Sequence, residues 1–320
     1  MKLYPLSFTP ILKERIWGGT KLQTVLHKSS LSKNMGESWE LSAVSDDISV
    51  VNNGAAKGKT LTELIDLFPE ELLGEKVLLK FGKQFPLLFK FIDAKEDLSI
   101  QVHPNDQLAQ ARHNSFGKTE MWYIMQADEN ARLIVGFNKE STQTDYLSHL
   151  QTNSLTELLK EYPVQTGDVF FLETGTIHAI GAGILLAEIQ QTSDITYRLY
   201  DWGRVDDKGV SRELHTDLAL EAINYNTTKS KITYDNVIEN KSVTVVDSVY
   251  FKTNYLQLST SYSWIKKEDA FTVFMCVEGK CTLTYEGELF SLVKGQTILI
   301  PASITHFLLE GSATLLEISI

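Results

Sequence analysis

Cysteine is scarce in this chain, and so are basic charge and long apolar runs. Only two cysteines, Cys276 and Cys281, occur among 320 residues, and they do not form a CxxC pair. That excludes the disulfide framework of small secreted domains and any cysteine-built zinc finger. Two reduced, mostly buried thiols are expected instead. Lys and Arg total 30 against 41 Asp and Glu, a formal net charge of -11. Such an acidic chain lacks the basic surface that non-specific nucleic-acid binding needs. A small anion held by a few local cations or a metal is still allowed. The most apolar stretch, 179–187, carries two glycines and is far short of a membrane span. Pro5 and Pro10 interrupt the first ten residues, and Lys13, Glu14 and Arg15 follow at once, so no signal peptide is expected there. These features point to a soluble cytoplasmic protein with neither nucleic acid nor membrane as partner. They leave the oligomeric state open.

The rest is ordinary globular composition, 43% hydrophobic and 22% charged, with length enough for about two domains. Most segments read as short strands between turn residues. Residues 77–81, 87–92, 121–125, 132–137 and 169–172 are apolar or alternating and rich in Val, Ile and Phe. The pattern returns at 271–277, 281–285, 297–300 and 313–318. Helical spacing is confined to 61–73, with Thr60 as N-cap and Gly74 as stop, to 146–159, to 213–223 and to a shorter piece at 106–113. The predicted class is mainly β with inserted helices.

An internal echo refines that prediction. Gly167-Asp-Val-Phe-Phe-Leu-Glu173-Thr-Gly175-Thr-Ile-His178 can be laid against Gly295-Gln-Thr-Ile-Leu-Ile-Pro301-Ala-Ser303-Ile-Thr-His306. Each reads as a turn glycine, a buried strand, a second turn and a histidine opening the next strand. Both copies resemble the second motif of the cupin superfamily, which implies two cupin-like β-barrel (jelly-roll) domains in tandem. The expected division is 1–235, a metal-binding domain with helical insertions, and 236–320, a barrel without metal ligands. In cupins the first motif supplies His-x-His and a later glutamate. Here the first copy offers Gln101-Val-His103 and then Glu120, whereas the second has no such set before His306. Cupins host many activities, so the fold leaves function open.

Gln101 and His103 share one face of a strand, because side chains alternate with period two. Glu120 starts a strand-like run, and His178 stands at a strand entry. One Gln, two neutral His and one Glu leave a divalent ion with a net charge of about +1, which keeps it electrophilic. That set suits zinc better than redox iron or manganese. His27, His113, His149, His215 and His306 lack partner spacing and are expected to be structural or on the surface.

The flanking segments are more specific. Leu98-Ser-Ile-Gln101-Val-His103-Pro-Asn105, Gly117-Lys-Thr-Glu120-Met-Trp122, Gly175-Thr-Ile-His178-Ala179 and Gln190-Gln-Thr-Ser-Asp194-Ile-Thr-Tyr-Arg198 resemble the motifs of type I mannose-6-phosphate isomerases. Trp17-Gly-Gly19 and Gly36-Glu-Ser-Trp-Glu40 are similar to N-terminal segments of the family's bacterial short form. The resemblance runs from about Trp17 to Arg204, in the family's order. It implies one zinc ion per chain on Gln101, His103, Glu120 and His178, with a sugar phosphate as the small-molecule partner. The implied reaction interconverts mannose 6-phosphate and fructose 6-phosphate through a zinc-stabilised enediol or enediolate. Arg198 falls on the family's catalytic arginine, Lys118 on the lysine beside the ligand glutamate, and Asp194 on an acidic position considered for proton handling. The chain has no room for the helical domain of the longer eukaryotic form, which removes walls of the cleft.

An aldose–ketose interconversion removes a proton next to a carbonyl, so it needs charge stabilisation and a base. Asp194, Lys118 with a lowered pKa and a zinc-bound hydroxide are all candidates for that base. Arg198 offers a fork of donors to enediolate or phosphate oxygens. Ser99 and Lys95 are phosphate candidates, and Trp17 either walls the cleft or packs in the core. The rival readings are a redox metal cupin, which Gln101 argues against, and a sugar-sensing cupin without turnover, which the filled ligand positions argue against.

Overall fold

Alternation along the strands decides how this chain stacks. A computed structural model describes residues 1–206 and 208–320. In the strand Ile184–Gln191, Ile184 and Leu186 enter one apolar cluster while Leu185, Ala187 and Ile189 enter another. A strand that buries both faces belongs to the middle layer of a stack. The strands Leu87–Ala94 and Glu120–Ala127 behave in the same way.

This middle layer is a seven-stranded antiparallel sheet. Its order is Ile11–Gly19, Met35–Leu41, Leu87–Ala94, Ile184–Gln191, Glu120–Ala127, Val169–Leu172 and Lys231–Ile232. One face packs on a five-stranded sheet ordered Tyr197–Tyr200, Ile100–Val102, His178–Ile180, Arg132–Phe137 and Leu159–Pro163. Trp122, Ile124 and Leu186 there meet Leu133, Val135 and Ile180 in one cluster. The other face packs on a C-terminal sheet of seven strands between Ser242 and Ser319, where Phe89, Phe91 and Met121 meet Val273, Met275 and Leu316. The C-terminal sheet curls around a further core of its own, with Trp264, Phe274 and Phe307 inside. The outer face of the five-stranded sheet is covered by the helix Gln143–Gln151 and its neighbours, which bury Tyr146, Leu155 and Leu158 against Ile134 and Tyr197. Among the described residues no helix is long and apolar enough to cross a membrane.

Several expected elements are corrected. Residues 77–81 are not a strand but the end of a helix, Glu75–Phe81. Val77 is buried, Leu78 and Phe81 pack against the core, and Leu79 is 82% exposed. That is helical spacing; a strand would have put Val77, Leu79 and Phe81 on one face. The helix expected over 61–73 is split into Leu61–Leu67 and Pro69–Leu73. Pro69 starts the second piece, since it lacks the N–H a continuous helix needs. The helix expected over 146–159 instead starts earlier and ends earlier, as Gln143–Gln151, and 213–223 shortens to Thr216–Ala219. The expected strands 271–277 and 281–285 are one strand, Thr272–Tyr285, with a bulge between Cys276 and Glu278. By contrast Asp106–His113, Arg132–Phe137, Val169–Leu172 and Thr297–Ile300 lie where the pattern put them. The echo is visible in the backbone: Gly167 and Gly295 take φ of +93° and +84° before their strands, a region that costs glycine little.

Candidate metal centre and its cleft

The site lies between the middle sheet and the five-stranded sheet, and strand register assembles it. On the five-stranded sheet Arg198 pairs with Gln101, and Gln101 pairs with His178. Residues directly opposite each other share a face, so these three side chains stand abreast. His103 follows the strand Ile100–Val102 by one residue. Across from them, on the middle sheet, Glu120 pairs with Gln190. The adjacent row is Trp39, Lys90, Glu188, Trp122 and Phe170, in register across five strands.

His103, Glu120 and His178 are each about 1% exposed, and one ligand atom from each lies within 4.8 Å of the others. His178 Nε2 is 3.3 Å from Glu120 Oε1, and His103 Nε2 is 3.7 Å from Glu120 Oε2. Both ring orientations are set from behind. His103 Nδ1 donates to the Ile195 carbonyl at 2.9 Å and His178 Nδ1 to the Thr176 carbonyl at 2.8 Å. A carbonyl can only accept, so Nδ1 carries the proton and Nε2 is left as an acceptor, unpartnered in His103 and facing the Gln101 amide nitrogen in His178. Burial, then the Lys118 charge and its neighbours, holds His103 well below its ordinary pKa. Burial likewise brings His178 down to about 4. Both rings are therefore neutral at pH 7, as a metal ligand requires.

His103 Nε2 and both Glu120 oxygens are buried without a hydrogen-bond partner. Orphaned buried polar atoms are costly, and three that converge on one point are the pattern a cation would satisfy. The donor set fits a divalent metal. The Gln101 amide, 3.2 Å from His178 Nε2 through its nitrogen, presents its oxygen after a half-turn of the amide. Burial, then the neighbouring Glu188 charge, pushes Glu120 up to about 8. A divalent ion at this point would reverse that effect.

A cleft of about 650 Å³ reaches the centre at Gln101 and Lys118. Trp17, Ser99, Gln101, Lys118, Asp194 and Arg198 all line it. Trp17 does so while 4% exposed and packed in the same cluster as Trp122, so it is both wall and core. Lys118 is buried, with Nζ 3.9 Å from Glu120 Oε2, and burial followed by the Lys90 charge lowers its pKa. Asp194 is exposed, in the loop before the strand of Arg198. Arg198 Nη1 donates to the Glu213 carbonyl, while its Nε is buried and unpartnered. His215, expected to be structural or on the surface, exchanges hydrogen bonds with the Arg198 backbone on both sides. Lys95 is exposed and stands outside the cleft lining, its N–H donating to the Trp17 carbonyl.

Other cleft residues escaped the sequence reading. Lys90 and Glu188 form an ion pair at 2.9 Å, and Lys90 also donates to Gln190 Oε1 at 2.6 Å. Trp122 Nε1 donates to the other oxygen of Glu188. Burial opposes the charge on Glu188, but Lys90 and Lys118 outweigh it and hold the carboxyl at about 2. Arg204 and Arg212 also line the cleft, both beside Asp201, and Arg204 Nη1 is another buried, unpartnered donor. A partial signal was present: Lys90 and Glu188 each interrupt a run of apolar residues within a strand, and a buried charge is rare without a partner.

Comparison with known proteins shows what the whole chain is similar to. Residues 6–151 match the model of the phosphomannose isomerase type I catalytic domain, and 241–320 that of the mannose-6-phosphate isomerase cupin domain. The chain is 38% identical to the mannose-6-phosphate isomerase ManA of Bacillus subtilis, over 98% of both chains. It is 33% identical to the mannose-6-phosphate isomerase of Streptococcus mutans, over 96% of this chain and 95% of that one. A crystal structure of the mannose 6-phosphate isomerase from Bacillus subtilis superimposes with a TM-score of 0.88, at 34% identity, over 99% of this chain and 100% of that one.

Proposed function

The chain belongs to the type I phosphomannose isomerase family, and we propose that it interconverts mannose 6-phosphate and fructose 6-phosphate with one zinc ion held by Gln101, His103, Glu120 and His178. As a member of that family it is an aldose–ketose isomerase. The observation that carries the metal reading is the convergence of His103 Nε2 and both Glu120 oxygens, all buried and unpartnered, on His178 Nε2. Two imidazoles, a carboxylate and an amide oxygen suit zinc and leave positions open. When bound, the ion supplies a Lewis acid toward the oxygens of the reacting carbons.

The chain's own groups do the rest. Arg198 stands abreast of Gln101 with an unpartnered Nε, ready to donate to an oxygen that gains negative charge as the carbon proton leaves. Arg204, with its free Nη1, and Ser99 offer further donors in the same cleft, which suits a phosphate group. Glu188 joins Asp194 and Lys118 as a candidate base. It is ionised and buried in the cleft wall, but Lys90 and Lys118 hold it at about 2, which makes it a weak base, whereas Asp194 sits exposed at the rim. Lys118, with its lowered pKa, moves a proton more readily than an ordinary lysine. Burial of the centre keeps bulk water from competing for these donors.

The same reading makes residues 1–235 a metal-binding cupin barrel built from the two facing sheets, and 236–320 a second cupin-like barrel without metal ligands. Both belong to a cytoplasmic enzyme. The test is a coupled assay for fructose 6-phosphate from mannose 6-phosphate, run on zinc-loaded and chelator-treated protein side by side, with the metal content measured. Turnover that follows zinc supports the reading. No turnover in metal-replete protein, or turnover indifferent to metal, overturns it.

A further inference from the structure

One carboxylate outside the cleft gathers the segments that carry the site. Asp106 opens the helix Asp106–His113, three residues after His103. Its Oδ1 accepts from the Gly117 N–H at 2.8 Å and from Gln191 Nε2 at 2.9 Å. Its Oδ2 accepts from the Tyr250 hydroxyl at 2.7 Å. Gln191 passes the contact on, because its Oε1 accepts from the Thr119 N–H at 2.9 Å and its own N–H donates to the Thr119 carbonyl at 3.1 Å. Three stretches of chain are thus tied at one side chain. They are the segment after His103, the segment of Lys118 and Glu120, and the end of the strand bearing Glu188 and Gln190.

The packing here is close. A Cβ on Gly117 would fall 2.7 Å from the Asp106 nitrogen and 2.9 Å from the Asn105 carbonyl carbon, so the two loops touch backbone to backbone. His103 is braced from its other side, where its carbonyl accepts from the Gly175 N–H at 3.0 Å. Tyr250 comes from the C-terminal sheet, in the turn between the strands Ser242–Asp247 and Lys252–Leu258. That turn is itself pinned: Ser248 Oγ accepts from the Tyr250 and Phe251 N–H groups, and Phe251 packs edge-on against Phe171.

We infer that Asp106 and Tyr250 are positioning residues for the metal centre, and that the C-terminal sheet, through Tyr250, helps set the spacing of His103 and Glu120. This rests on the metal reading proposed above. The physical argument is preorganisation. A ligand set binds tightly only if its spacing is held before the ion arrives, and outer partners commonly change affinity or activity by about 10–100-fold.

The test compares wild type, Asp106→Ala, Asp106→Asn and Tyr250→Phe. Zinc affinity is measured by competition with a chromogenic chelator, kcat and KM by the coupled assay, and the thermal midpoint without metal. D106A is expected to weaken zinc binding and lower kcat by about 10-fold or more, and Y250F to act in the same direction by a smaller factor. D106N should stay close to wild type, because the amide oxygen still accepts from Gly117 and Gln191 while the Nδ2 group can donate to the Tyr250 oxygen. A drop in thermal midpoint in D106A and Y250F, with zinc affinity and kcat unchanged, would mean a merely structural tie and would overturn the inference. Failure of wild type to turn over would count against the proposed reaction alone, since the affinity series still decides this one.

Discussion

Replacing Lys90 by methionine isolates the buried charge pair in the cleft wall. Lys90 and Glu188 have side chains only 6% and 4% exposed, 2.9 Å apart, and the Lys90 ammonium lies 5.2 Å from the Trp39 ring centroid. At an effective dielectric near 20 the pair's attraction is about 6 kcal/mol before desolvation is subtracted. Methionine fills much of the same volume but strands a carboxylate and the Gln190 oxygen. Removing one partner of a buried pair typically costs about 3–5 kcal/mol, and that range is expected for K90M from the shift in urea midpoint at unchanged m. Adding Glu188→Leu removes the stranded charge but orphans Trp122 Nε1, a loss of about 1–3 kcal/mol. The double variant should therefore be more stable than K90M, with a coupling of about 3 kcal/mol or more in the cycle, since Glu188→Leu alone also strands a buried charge. The pH dependence has a definite sign. Glu188, held at about 2 in the fold, contributes stability above its unfolded pKa near 4.5, and this is lost as pH falls toward 2. In K90M the unpaired carboxyl is pushed the other way, so the fold binds protons more readily than the unfolded chain and the penalty shrinks on acidification. A K90M penalty below about 1 kcal/mol, or strict additivity in the cycle, would refute the reasoning.

Chelation of the zinc-loaded protein should lower its melting temperature and abolish turnover together. Zinc at a thousand times its Kd contributes roughly 4 kcal/mol, a rise on the order of 10 °C that scanning calorimetry resolves. Glu120→Gln removes the only carboxylate of the ligand set, and zinc binding by chelator competition should weaken by at least about 100-fold. Arg198→Lys keeps the charge but loses the fork, so kcat should fall by about 10²-fold or more with the melting temperature held; a kcat within threefold of wild type would remove Arg198 from the mechanism.

Elements whose cause is local were legible in the sequence. Asn105 caps the helix Asp106–His113 by accepting from the Leu108 N–H, a relation contained in four consecutive residues. The placing of Gln101 and His103 on one face follows from the period of a strand, and the turn before Val169–Leu172 follows from Gly167. Where the local signal was ambiguous, tertiary packing decided. The apolar run before Phe81 fits either a strand or a helix until Leu79 is seen turned to solvent. Which residues are joined by sheet register alone was not legible. Lys90 and Glu188 meet because their strands pair at those two positions, and no spacing rule links residues 98 apart. Asp106 and Tyr250, 144 apart, meet only because the C-terminal sheet docks on the middle one. The sequence by itself therefore determined the ligand types and their local faces, since these depend on a few neighbouring torsions. The tertiary structure decided which charges are paired, which polar atoms are left free for a metal or substrate, and what holds the ligands apart. Those depend on long-range pairing, which is set by burying four apolar clusters at once.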